Sequence, residues 1–343
     1  MSGTTNQAPF QQRFLSYEIK VPTGVKKLDY RGNQTTSDLS GQTINLIGYR
    51  SECSIVNYGQ EQGVQAQVSI YNLPDRLVRS LAGFGTMSVF NYADVSAADI
   101  AAASNVVSLR VFTSEQTTGS ISPSAVSRST QAAGQAMTCV FMGALRTCTI
   151  NMETAPDPIS FIQCDTLGHL KLSPADAISF KGAVEASTIA RQIADQMGYA
   201  FVNDGVTTVL QNPYFYGDLT RQLFDLANQA LFHVTVENGT VTIWPFGQSL
   251  SRSAAAGYTT ISSATGLIGY PQFNGVGITL RTIYNRSIRF GDKVSVVSIA
   301  PNVTGTYNVS AVAHHLSEDI PGGPWETEIQ ATRYGDPIGT TGL

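Results

Sequence analysis

The stretch HHLSEDIPGGPWETEIQATR, His314–Arg333, admits two readings, and the choice between them decides the fold. Two histidines, the acids Glu318, Asp319, Glu326 and Glu328, and a tryptophan have the composition of an active site. The spacing points elsewhere. Neighbouring strand residues face opposite ways, so His314 and His315 cannot ligate one metal from a regular strand. Pro321-Gly322-Gly323-Pro324 is turn chemistry, and Glu318-Asp319 just before it stand where turns favour solvated polar residues. After the turn, Trp325, Thr327 and Ile329 alternate with Glu326, Glu328 and Gln330, which puts the first set on a buried face. The stretch reads as a β-hairpin, with Trp325 as a packing anchor.

The same period recurs through most of the chain. FLSYEIK (Phe14–Lys20) and TINLIGYRSECSIVNYG (Thr43–Gly59) predict the first strands. VQAQVSIYNLP (Val64–Pro74) places Val64, Ala66, Val68 and Ile70 on one face and Gln65, Gln67 and Ser69 on the other. DRLVRSLAGFG predicts a short helix ending at Gly83 or Gly85. Strands follow at TMSVFNY, VVSLRVFT, AMTCVFMGALRTCTINME and PISFIQCDTLG. Residues 114–135 carry no apolar anchors and predict a long polar loop.

After Ser173 the period changes. ASTIARQIADQMG has Ile189, Ile193 and Met197 on one helical face, with Ser187 expected as N-cap and Gly198 as stop. GDLTRQLFDLANQA predicts a second helix capped by Asp218, with Leu219, Leu223 and Leu226 on its stripe. FHVTVENGTVTIWP surrounds Asn238-Gly239, the signal of a type I′ hairpin. GQSLSRSAAAG (247–257) reads as a linker, and the last region, up to the closing hairpin, is again all strand. The expected organisation is a flexible N-terminus (1–12), a first β-barrel domain (13–168), an α+β domain (169–247), a second β-barrel domain (248–335) and a flexible tail (336–343).

Composition excludes several function classes. Charged residues are 13% of the 343, about half the usual share, while apolar residues at 42% suffice for packed cores. That combination suggests a surface that is polar-neutral or covered by partners. The net charge is −4 and no basic run exceeds Lys26-Lys27, so the chain lacks the footprint of a phosphate-gripping protein. The N-terminus has no signal-peptide pattern and no apolar run approaches a membrane span. Cys53, Cys139, Cys148 and Cys164 show no CxxC spacing and read as free core thiols in a reducing cytosol. His169 and His233 stand apart from His314 and His315, and no HExxH, P-loop, Rossmann or G-x-S-x-G motif occurs. No catalytic, cofactor-binding or metal residue is assigned.

Four stretches resemble the baseplate hub proteins of tailed phages: INLIGYRSECSIVNYGQEQGVQAQVSIYNLP; STIARQIADQMGYAF; ENGTVTIWP with GLIGYPQFNGVGITLRTIYNRSIRFGDKV; and YNVSAVAHHLSEDIPGGPWETEIQATR. Together they span most of residues 40–333. The resemblance implies a homotrimer with two tail-tube-like antiparallel β-barrels per chain flanking the α+β domain. Three chains then form a pseudo-sixfold ring that adapts a hexameric tail tube to a trimeric spike. The implied partners are the tail tube protein or a tube-initiator ring, the central spike and other baseplate proteins. DNA would pass through the channel without specific binding, and no cofactor or enzymatic activity is implied. The implied location is the virion tail, assembled in the host bacterial cytoplasm. Two alternatives stand beside this reading. One is a distal tail protein of a flexible-tailed phage; the other is a carbohydrate-binding or hydrolytic tail protein using Trp244, Trp325 and tyrosines as sugar platforms.

Overall fold

The computed structural model describes residues 10–24, 26–28, 34–59, 61, 63–81, 106–118, 137–153, 156–171, 175–252, 257–273, 275 and 277–333. The first region holds β1 (Phe10–Lys20), β2 (Lys26–Leu28), β3 (Gln34–Thr36), β4 (Thr43–Ile47), β5 (Ser51–Asn57) and β6 (Val64–Tyr71). It continues with α1 (Asp75–Leu81), β7 (Ser108–Thr118), β8 (Thr138–Asn151) and β9 (Ile159–Asp165). The alternation expected for β6 is present: Val64, Ala66, Val68 and Ile70 are buried, and Gln65, Gln67 and Ser69 lie on the more open face. The four buried side chains pack with Leu15, Tyr17, Leu109, Phe141 and Ile162 into the first core.

Two expected boundaries shift. β1 begins at Phe10, inside the terminus expected to be flexible, and β7 runs to Thr118, into the expected polar loop. The cause is mutual: Phe10 pairs with Thr118 at the far end of an eleven-residue antiparallel ladder. Backbone pairing needs no apolar side chains, so composition alone does not mark these ends. The remainder of that loop, the TMSVFNY strand, the helix beyond Leu81 and the C-terminal tail fall outside the described residues.

The middle region holds α2 (Gly168–Lys171), β10 (Ile178–Ser179), β11 (Ala183–Glu185), α3 (Ala186–Met197), β12 (Ala200–Asn203), β13 (Val209–Gln211), β14 (Tyr214–Phe215), α4 (Leu219–Ala230), β15 (Phe232–Glu237) and β16 (Thr240–Pro245). Ile189, Ile193 and Met197 of α3 meet Leu219, Leu223 and Leu226 of α4 in a second core. Asp218 caps α4 by accepting from Arg221 N–H at 2.9 Å. Gly198 ends α3 at φ 73°, where a side chain would be strained. Ser187 is not the N-cap: α3 starts two residues earlier than that cap implies, with Glu185 at the cap position, Ala186 N–H held by the Thr208 carbonyl and the Ser187 hydroxyl turned to Glu185. Asn238 and Gly239 both have positive φ, 49° and 74°, as the type I′ hairpin requires.

The last region holds β17 (Thr259–Ile261), β18 (Leu267–Phe273), β19 (Gly277–Ile283), β20 (Lys293–Val296), β21 (Gly305–Glu318) and β22 (Trp325–Arg333). The chain is mainly β, with a smaller α+β part and large antiparallel sheets. Strands of both β regions lie in one 13-stranded sheet, ordered β18-β19-β22-β21-β5-β6-β9-β8-β7-β1-β4, with β20 joined to β21 and β17 to β20. β21 makes the join. Its first half pairs with β20 and places Tyr307 and Val309 in a third core; its second half pairs with β5 from Val312 to Glu318 and places Leu316 in the first core. A register shift at Val309/Ala311, against β22, separates the two halves. The expected linker is docked at its start. Leu250 is buried against Trp244 and Phe290, and Arg252 pairs with Asp292 at 2.8 Å. One leucine among small polar residues supplied that anchor.

Candidate functional site at the junction of the three units

The closing hairpin forms as its alternation predicts, with β21 and β22 paired antiparallel. His314 is buried and its Nδ1 lies 2.9 Å from Thr327 Oγ1, directly across the ladder. His315 turns to the other face and meets Ser54 Oγ at 3.2 Å. Tyr284 stands edge-on to both His314 and Trp325, each at 5.4 Å between ring centres. Trp325 is 5% exposed and packs into the first core, while Ile329 on the same face packs into the third. Glu326 reaches Arg281 at 3.4 Å on the outer face. Glu318 departs from the expectation: it is buried, and its carboxylate accepts from Leu15 N–H at 2.9 Å, tying β21 to β1. A buried backbone donor needs an acceptor more than the turn needs a solvated acid. Asp319 is exposed at φ 58°.

The other histidines are separate. His169 and His233 are buried in or beside the middle region, and burial pushes both, with His314, down to about 4. Among the described residues no group of three or more His, Cys, Asp or Glu side chains is placed to hold a metal. Cys53, Cys148 and Cys164 are buried, and desolvation raises their thiols, Cys53 and Cys148 to about 12. Cys139 is only half-buried.

Cys139 borders a cavity of about 230 Å3 where all three units meet. β5, β6 and β21 give it an apolar floor of Ile55, Val64 and Val312, with Phe141 from β8. The β15–β16 turn contributes Glu237 and Asn238, and the segment after β19 contributes Arg286 and Arg289. Asn57 donates its amide to Glu237 Oε1 and, at 3.3 Å, to Thr235 Oγ1, joining the first unit to the middle one. Burial raises the Glu237 carboxyl, opposed by the guanidiniums of Arg252 and Arg289. Arg286 reaches across to Thr138 Oγ1 at 2.7 Å. Sequence reading missed this group, since Asn57 and Glu237 are 180 residues apart and no motif links them.

The sequence profile of the Baseplate hub gp41 family matches residues 42–319, from before β4 to the end of β21. The chain belongs to that family. This baseplate hub and phage tail family is the one its sequence stretches resemble. Solved structures agree at the level of fold. A tail protein from Neisseria meningitidis is similar with a TM-score of 0.58 at 12% identity, over 94% of this chain and 98% of that one. The 43 kDa tail protein of prophage MuSo2 from Shewanella oneidensis gives 0.53 at 8% identity, over 84% of this chain and 94% of that one. No curated protein matches the chain significantly. As a hub-family member this protein associates with other tail components in the virion, and no helix among its described residues is long and apolar enough to cross a membrane.

Proposed function

We propose that this hub is a non-enzymatic homotrimer, a ring that adapts the sixfold tail tube to the threefold central spike and forms part of the DNA channel. The observation that carries this reading is the join of β21 to β5. It sets two β regions of one chain side by side in one sheet, so three copies present six. Residues 13–168 and 248–335 are taken as two tail-tube-like barrels, with 169–247 the α+β unit between them. Closed rings of this kind use heterologous contacts, and a net charge of −4 suits a channel that must not retain DNA. Assembly would take place in the host cytoplasm. Burial of Trp244 and Trp325, at 0% and 5% exposure, weighs against the sugar-platform alternative, which needs open aromatic faces. Native mass measurement of the full chain, alone and with the tube protein, should give multiples of three. A reconstruction with six copies in the ring would overturn the adaptor.

A further inference from the structure

The junction cavity holds opposite charges that do not meet. Glu237 and Arg289 both line it and each acts on the other electrostatically. Yet neither Arg286 nor Arg289 forms an ion pair among the described residues, and Glu237 Oε1 is occupied by Asn57 while Oε2 has no hydrogen-bond partner there. The apolar side chains of Ile55, Val64, Phe141 and Val312 line the same cavity.

Charge selects what fits. An anion alone would face the Glu237 carboxylate, and a cation alone would face two guanidiniums. A neutral apolar molecule would cover the floor and screen the half-buried Glu237 carboxylate from water without answering its charge, which is costly. A molecule carrying both charges a bond or two apart, on a short apolar body, meets every part of the lining. At about 230 Å3, against roughly 150 Å3 for an engineered cavity that holds benzene, the space takes one molecule of amino-acid size. We propose that the cavity is a binding site for a single free α-amino acid with an aliphatic or aromatic side chain. Its carboxylate would lie against Arg286 and Arg289, its ammonium against Glu237 Oε2, and its side chain on the floor. Because the walls come from all three units, an occupant stabilises their packing by mass action.

The test uses the purified full chain and four probes: L-leucine, 4-methylpentanoate (no ammonium), 3-methylbutylamine (no carboxylate) and glycine (no apolar body). Calorimetric titration and thermal shift should show saturable leucine binding at least about tenfold tighter than any of the other three. Arg289→Gln changes an exposed side chain, so it should keep the unliganded melting temperature and weaken leucine by about tenfold or more. Val312→Phe, which fills the floor, should abolish binding. Glu237→Gln removes the charge that would meet the ammonium and should also weaken leucine by about tenfold or more; if it folds poorly, Arg289→Gln decides alone. No saturable leucine binding up to on the order of 10 mM overturns the site. So does 4-methylpentanoate binding as well as leucine, or an Arg289→Gln chain that binds like the wild type.

Discussion

Glu318 ends a strand beside a Pro-Gly turn, yet it is 3% exposed and serves a backbone N–H 303 residues away in sequence. Glu318→Ala should leave Leu15 N–H buried without its acceptor and lower stability by about 1–3 kcal/mol. Glu318→Gln keeps a carbonyl oxygen and should cost less; urea unfolding of both variants measures the difference. Trp325 was legible because alternation alone placed it inward. What sequence did not show is that its indole enters the first core, under the guanidinium of Arg13 at 5.5 Å and beside Tyr284. Trp325→Ala should cost about 3–5 kcal/mol and give insoluble or early-melting protein. A soluble variant with the wild-type unfolding midpoint would contradict that anchor role.

Elements carrying their own signals were read correctly: α4 from its Asp218 cap, the β15–β16 hairpin from Asn-Gly, and β6 from strict alternation. Elements that depend on a partner were not. The far half of β7 has a polar sequence, SEQTT, and is strand because β1 lies alongside it. This sets the boundary for a deletion. Replacing residues 120–135 with a short Gly-Ser linker removes no described ladder pair and should leave the melting temperature within a few degrees. Starting the replacement at Ser114 removes the pairs from Phe14↔Ser114 to Phe10↔Thr118 and should lower it clearly. Thermal melts of the two deletions check the boundary, and equal melting temperatures would show that these pairs contribute nothing.

At the scale of the molecule, three buried histidines couple stability to acid. His169, His233 and His314 are held neutral, with burial pushing each down to about 4. In the unfolded chain each titrates near about 6.5. Above that pH neither state is protonated and the contribution is fully present. As pH falls toward about 4 the unfolded chain takes up protons that the native state refuses, and stability is lost, by up to about 3 kcal/mol for each histidine. Asp165 and Glu237, raised by burial, act with the opposite sign, contributing below the ordinary carboxylate range and losing it as pH rises through their native values. The histidine loss should therefore dominate between about pH 6.5 and 5. Calorimetry from pH 8 to 5 should show a falling melting temperature, with a shallower fall in His314→Gln. A flat profile would contradict the burial of these rings as the controlling feature.

The sequence by itself determined the strand and helix periods, the caps and turns, the inward face of the closing hairpin and the membership suggested by its ordered stretches. All of these are local: a period of two or 3.6, a left-handed glycine or an Asx cap is decided by residues within one turn or one pleat. Only the tertiary structure decided that β21 belongs to two β regions at once, that Leu250 docks the segment between units, and that Asn57, Glu237 and Arg289 share a cavity. Those outcomes depend on which strand edges and charges meet across more than a hundred residues. A backbone ladder or a lone buried carboxylate leaves no period in the chain to announce its partner.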